Sequence, residues 1–369
     1  MMQSSVERVR ESQTAARIGR RSRSPVFVLG CPRSGTTVLY HMLLSAGGFA
    51  NYRSESNVFN ILVPRFGGMR LESDRKRLME VWVRSMLFRV SGLDAADITA
   101  KVVADCRNGG DFLRIVMQEV ARNQGVERWA DCTPHHLLSM KEIKRQIPDA
   151  LFIHIIRDGR DVALSYLRQG WAHPLPWDRG EELGVAGLYW KWIVSKGRES
   201  GTELGSDYRE VRFEDLVANP QEVLGRLGEF VNHDLDFRRI QQAGIGSVSE
   251  PNSSFDIEPD GDFAPVGRWK TKMSAQELAD FEALAGDLLE ELSYPLGSLG
   301  AARSTFRDAR LRATYLSLSE IKQWLKARTP LGRLVRLKRI QVEAQSRRSE
   351  VSQERGSGSD NGLRDGSSE

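Results

Sequence analysis

Two stretches of the chain are apolar almost without interruption: Val26–Leu29, ending at Gly30, and Ala150–Ile156. A strand buried on both faces reads this way, so both are expected as central strands of a parallel sheet, at 26–30 and 151–156. Val126–Asp131 and Tyr208–Phe213 are further strand candidates. Between them the spacing changes to that of a helix. Leu39, Met42, Leu43 and Ala46 share one face, closed by Gly47-Gly48, and Val162, Ala163, Tyr166 and Leu167 share another. A helix is expected over 181–200. The next begins at Asn219-Pro220, an N-cap and a first-turn proline, and carries Val223, Leu224, Leu227, Phe230 and Val231. Ser274 and Glu277 form a capping box ahead of Leu278, Phe281, Leu284 and Leu288. Residues 58–125 show mixed helical periodicity and are expected to cover the site. This alternation predicts an α/β fold, a three-layer domain with a central parallel β-sheet flanked by helices.

Composition sets the limits. The 369 residues are 40% hydrophobic, ample for a core, and no run of about 18 apolar residues predicts a membrane span. The first 24 residues are rich in Arg and Ser and read as a flexible basic arm rather than a secretory signal. The main domain is expected over 25–300. Residues 301–340 form a basic helical extension, with eleven Lys or Arg between Arg303 and Ile340 against Asp308 and Glu320, and 341–369 a disordered tail. Two readings of the extension stand side by side: a helix packed by its apolar side, or a face for peripheral contact with an anionic membrane or acidic partner. Nucleic acid is not expected as a partner, because no reader motif accompanies the charge. Cys31, Cys106 and Cys132 are odd in number and irregularly spaced, which suits reduced thiols in the cytoplasm, and no metal-ligand spacing is seen.

The candidate chemistry starts where the first strand ends. Gly30-Cys31-Pro32-Arg33-Ser34-Gly35-Thr36-Thr37 joins strand to helix, and a helix N-terminus aims unpaired N–H groups and its positive dipole end at one point. Hydroxyls of Ser34, Thr36 and Thr37 and the charge of Arg33 complete an anion site. In the nucleotide-triphosphatase loop a Lys follows the second Gly, whereas Thr36 stands here, and no Mg-binding Asp closes a strand. A P-loop nucleotide kinase is therefore the weaker reading. The stretch GCPRSGTT resembles the 5′-phosphosulfate loop of sulfotransferases that use 3′-phosphoadenosine 5′-phosphosulfate (PAPS), with Arg in the loop as in the carbohydrate and protein-tyrosine members.

Three further segments follow the family's order. Ile156-Arg157-Asp158-Gly159-Arg160-Asp161 with Ser165 looks like the 3′-phosphate element, in which the resemblance implies that Arg157 and Ser165 bind that phosphate. Arg212-Phe213-Glu214-Asp215-Leu216 is similar to the Tyr-Glu-Asp-Leu element, and Gly267-Arg268-Trp269-Lys270 resembles the late segment that closes over the nucleotide. The resemblance implies a P-loop-like domain moving a sulfuryl group from PAPS to a hydroxyl or amine of a small molecule, glycan or glycolipid, in line and without a metal, leaving 3′-phosphoadenosine 5′-phosphate (PAP). It also implies roles for Arg33 and Glu55 in catalysis. His135 and His136, beside a proline at a helix start, are second-choice bases. Without a secretory signal or membrane span the expectation is a cytoplasmic enzyme, with the basic 303–340 segment able to place it at a membrane periphery. Two residues depart from the pattern. Cys132 stands where many relatives have Lys, and Phe213 where Tyr is common. The alternative reading is a PAPS- or PAP-binding protein with impaired catalysis.

Overall fold

The computed structural model describes residues 21–243, 265–297 and 305–337. Most of the 1–24 arm, residues 244–264 and the 341–369 tail lie outside the described residues. Four parallel strands form one sheet in the order β2-β1-β3-β4: β1 (Val26–Gly30), β2 (Ala130–Asp131), β3 (Leu151–Ile156) and β4 (Tyr208–Arg212). Helices of ten residues or more are α1 (Thr36–Ser45), α2 (Glu72–Trp82), α3 (Ala95–Asp105), α4 (Gly109–Asn123), α5 (Gly159–Arg168), α6 (Glu182–Leu204), α7 (Pro220–Val231), α8 (Ala275–Glu291) and α9 (Phe306–Arg328).

The layers follow from the strand period of two. Along β1, Val26 and Val28 point to a core with Leu39 and Leu43 of α1 and Leu224 and Leu227 of α7. Phe27 and Leu29 point the other way, to a core with Phe112 of α4, Val162 of α5 and Trp190 of α6. Every residue of β1 and β3 is buried, which is why both read as continuous apolar runs. Together these two cores make a parallel sheet covered on both faces.

Local differences from the sequence reading have local causes. The strand expected over 126–131 shrinks to Ala130–Asp131, because the Val126 N–H bonds back to the carbonyl of Ala121 and the Arg128 carbonyl accepts from Ala50. Phe213 opens a helix rather than ending β4, and α6 runs on to Leu204. Asn219 makes no side-chain capping bond to α7, whereas Ser274 and Glu277 form the reciprocal capping box on α8. Cys31, Cys106 and Cys132 are free and buried.

His154 of β3 is fully buried, with Nδ1 2.6 Å from the Tyr208 hydroxyl and Nε2 unpartnered among the described residues. Burial, helped by Arg198, pushes its pKa down to about 3. An unfolded histidine takes up its proton near pH 6.5 and the folded one does not, so this residue makes stability fall as pH drops from about 6.5 toward about 3, by at most about 1.4 kcal/mol per unit. Urea midpoints taken at about pH 7.5 and about pH 5 should therefore fall less in His154→Asn than in wild type. Equal declines would exclude His154 as the source.

Candidate active site

The carboxyl ends of β1, β2 and β3 open on one rim, where ligands of open α/β sheets bind. Gly30 and Gly35 frame the β1–α1 loop for steric reasons. A Cβ on Gly30 falls 2.5 Å from the Ile155 carbonyl, and one on Gly35, at φ 93°, falls 2.3 Å from the Phe213 ring. Gly35 caps α1 with no side-chain bond, and the first turn holds no acid. The leading N–H groups of a ten-residue helix thus face the rim without a carboxylate to neutralise them. Inside the loop, Arg33 takes φ 77°, a left-handed conformation that costs a non-glycine residue about 1–2 kcal/mol.

The loop and the β3 end meet directly. Arg33 Nε donates to Ser165 Oγ at 2.9 Å, and Arg157 Nη1 donates to the Arg33 carbonyl at 3.1 Å. Arg157 is buried, also donates to the Pro265 carbonyl, and lies over the Phe213 ring at 4.8 Å. Burial, and then Arg157, lower the pKa of Arg33, while Arg157 is lowered by burial and by Arg268 against the opposing pull of Asp161 and Glu214. Guanidinium groups so crowded favour an anion between them. Two buried polar atoms here, Ser34 Oγ and Arg157 Nε, have no hydrogen-bond partner among the described residues. A phosphate-rich ligand is what this donor set fits.

Behind Arg157 lies a network that the sequence reading missed. Arg160, fully buried, forks onto Asp158 with Nε–Oδ1 3.0 Å and Nη2–Oδ2 2.7 Å, reaches Glu282 at 2.8 Å, and packs on the Trp269 ring at 3.6 Å. Asp161 accepts the N–H groups of Gly267 at 2.8 Å and Trp269 at 3.0 Å, so α5 holds the 267–270 segment by its backbone. Lys270 is exposed and Arg268 half-buried. Glu214 accepts the Asp158 N–H and the Tyr294 hydroxyl, and burial raises its pKa. The alternating charges of Arg157-Asp158-Gly159-Arg160-Asp161 directly after a buried strand were the available signal, since charge there requires partners.

On the β2 side, Ser56 Oγ and the Asn57 N–H are hydrogen-bonded to Thr133 Oγ1, which holds the 55–57 segment against the end of β2. Glu55 is exposed and stands close enough to Cys132 for its charge to act on the thiol. Burial, then Glu55 and Asp131, push the Cys132 pKa up against the opposing pull of the nearby Thr36 hydroxyl. Thr36, Cys132 and Glu55 thus form one neighbourhood at the start of α1, with a neutral thiol in its middle. His136 lies elsewhere in role. Its Nε2 accepts the Phe59 N–H at 3.1 Å and its Nδ1 meets Asp131 Oδ2 at 2.9 Å, so both ring nitrogens of this fully buried histidine are engaged in holding the fold.

His135 instead faces a cleft of about 350 Å³ and bonds to the Tyr189 hydroxyl at 3.2 Å. Tyr166, Trp171 and Tyr189 form an aromatic wall, and Tyr315, Leu318 and Lys322 of α9 form another. Arg33 lies 5.8 Å from the Trp171 ring centroid and feels the Tyr166 hydroxyl, so the cleft adjoins the anion site. Its walls come from His135, residues 166–189 and α9.

Residues 25–237 match the family model described as the sulfotransferase family. No curated protein matches the sequence. Among solved structures the chain is similar to a sulfotransferase domain from the curacin biosynthetic pathway, at 17% identity and TM-score 0.49 over 74% of this chain and 99% of that one. The sulfotransferase domain of the Synechococcus PCC 7002 olefin synthase gives 17% and 0.49 over 74% and 96%, and a sulfotransferase from Mycobacterium avium 14% and 0.40 over 75% and 78%.

Proposed function

The chain belongs to the sulfotransferase family, and from that premise we propose that it transfers a sulfuryl group from PAPS to a hydroxyl carried into the aromatic cleft. The observation that carries the reading is the meeting of Arg33, Arg157 and Ser165 beside an uncapped helix N-terminus. When bound, PAPS supplies an activated SO₃ group on a phosphosulfate anhydride. The remaining work falls to the chain. Arg157 and Ser165 hold the 3′-phosphate end of the nucleotide, and the leading N–H groups of α1 with Thr36, Thr37 and Arg33 stabilise charge that grows on the leaving phosphate. Ser34 and Gly35 shape the loop, and Gly267, Arg268, Trp269 and Lys270 border the nucleotide under the hold of Asp161. Glu55 receives the acceptor proton, and His135 orients the acceptor from the cleft wall.

The cleft favours an acceptor with a flat apolar body. Among the described residues its walls carry aromatic and aliphatic side chains, with Lys322, His135 and His173 as its ionisable groups besides tyrosine and no carboxylate to bind an amine. A second reading rests on Cys132, a buried neutral thiol where a cation would assist departure of the phosphate: the chain binds PAP or PAPS without turnover. One experiment separates the two. The full chain is incubated with PAPS and 2-naphthol, with a hexose in parallel, while calorimetry follows PAP. PAP binding and a naphthol product heavier by one SO₃ support the enzyme. PAP binding with no product from any acceptor supports the binder, and absence of PAP binding overturns both.

A further inference from the structure

The sulfotransferase reading leaves the outward side of the C-terminal helix unexplained. The inward stripe of α9 is accounted for: Leu311 and Tyr315 are buried, the Tyr315 hydroxyl bonds to Asp178 at 3.0 Å, and Glu320 accepts from Trp192 Nε1 and pairs with Lys196, both at 3.0 Å. These contacts fix the helix on α6 and answer one half of the sequence-level alternative, since α9 is packed by its apolar side.

The other side does not read as an ordinary solvated surface. Ile321 is 52% exposed and Trp324, three residues on and so on the same face, 58%. A 3₁₀ turn, Pro330–Leu334, follows and exposes Leu331 by 51% and Leu334 by 73%. This turn is a fixed mount. Thr329 Oγ1 caps the Leu331 N–H, Arg65 donates to the Arg333 carbonyl, and Gly332 is pressed so closely between the carbonyls of Lys326 and Pro64 that a Cβ would lie 2.4 Å from the first. Large apolar groups are thus held outward by a rigid base rather than carried on a loose end.

Charge selects the occupant. From Ile321 to Leu337 the chain carries Lys322, Lys326, Arg328, Arg333 and Arg336 and no Asp or Glu. Arg328, Arg333 and Arg336 are exposed. A partner that accepts an outward tryptophan and three aliphatic side chains among these cations must be negative at its boundary and apolar just beneath, which describes an anionic lipid bilayer. We propose that Ile321, Trp324, Leu331 and Leu334, with the surrounding cations, dock the chain on an anionic membrane surface. Because Leu318 and Lys322 of the same helix line the aromatic cleft, docking sets the cleft wall beside the lipid. This inference stands apart from the donor chemistry and survives if the chain binds PAP without turnover.

The test is cosedimentation of the full chain with vesicles of phosphatidylcholine alone or with about 30% phosphatidylglycerol, at low and high salt. Binding to the anionic vesicles only, weakened by salt, is expected. Arg328→Glu with Arg333→Glu should weaken it at least about 10-fold, and Trp324→Ser with Leu334→Ser should leave weak, wholly salt-sensitive attachment. All four side chains are exposed, and unchanged melting temperatures establish that the variants fold. Failure of the wild type to bind anionic vesicles, or equal binding by both double variants, overturns the proposal. So does a concentration-dependent dimer that the variants abolish, which would make this face a contact between two copies.

Discussion

Replacing Glu55 with Gln is expected to lower turnover about 10²- to 10⁴-fold while PAP affinity stays within about twofold of wild type. The side chain is exposed, so its exchange for an isosteric amide disturbs no core. Its segment is held by the Ser56 and Asn57 bonds to Thr133, and its charge reaches Cys132, whose thiol also feels Thr36 at the first residue of α1. A carboxylate in that neighbourhood can take a proton from an acceptor as the S–O bond forms, and an amide cannot. The acid limb of the pH–rate profile should disappear with it. His135→Ala should raise KM for the acceptor more than it lowers kcat, because its ring nitrogen is bonded to Tyr189 in the cleft wall. Near-wild-type turnover in Glu55→Gln, with loss of turnover in His135→Ala, would move the base to the histidine. Collapse of PAP binding in Glu55→Gln would make Glu55 structural.

Arg157→Ala should weaken PAP about 10- to 150-fold, the equivalent of about 1.5–3 kcal/mol for a buried charged hydrogen bond. Adenosine 5′-phosphate, which lacks the 3′-phosphate, should bind the variant and wild type nearly alike. Since Arg157 also bonds to the Arg33 and Pro265 carbonyls and covers Phe213, the alanine variant risks local collapse. Arg157→Lys keeps the charge in a smaller, unforked head and should lose part of the affinity with little loss of thermal stability. Calorimetry showing unchanged PAP binding in a folded Arg157→Ala would remove this residue from the donor site. Equal losses for PAP and adenosine 5′-phosphate would show that it supports the loop rather than the 3′-phosphate.

What the sequence revealed and what it concealed divide along a physical line. β1, its loop and α1 were legible because one continuous segment carries all the constraints: burial on both sheet faces, glycines where backbone or ring leaves no room, and a helix start with no acid. β3 and Arg157 were legible for the same reason. The Asp158–Arg160–Glu282 network was not, since Glu282 lies 122 residues from Arg160 and nothing in its helical spacing distinguishes a buried ion pair from a solvated face. The aromatic cleft was not legible because one of its walls, α9, is joined to it by tertiary contacts such as Tyr315 with Asp178. His136 was a fair candidate base in sequence, beside a proline at a helix start. Only the bonds at both its nitrogens, one from 77 residues away, disclose that it is a structural pin.

Phe213 illustrates a last consequence. Its ring fills the space that a side chain at position 35 would need and also lies under the Arg157 guanidinium, so one aromatic serves both halves of the anion site. Positions 35 and 213 are therefore not free to drift separately. A smaller residue at 213 would open room at 35 but strip the support from Arg157, and a larger residue at 35 would still face the penalty of φ 93°. Even a paired change would thus relieve only the steric clash at 35 and leave its backbone penalty in place.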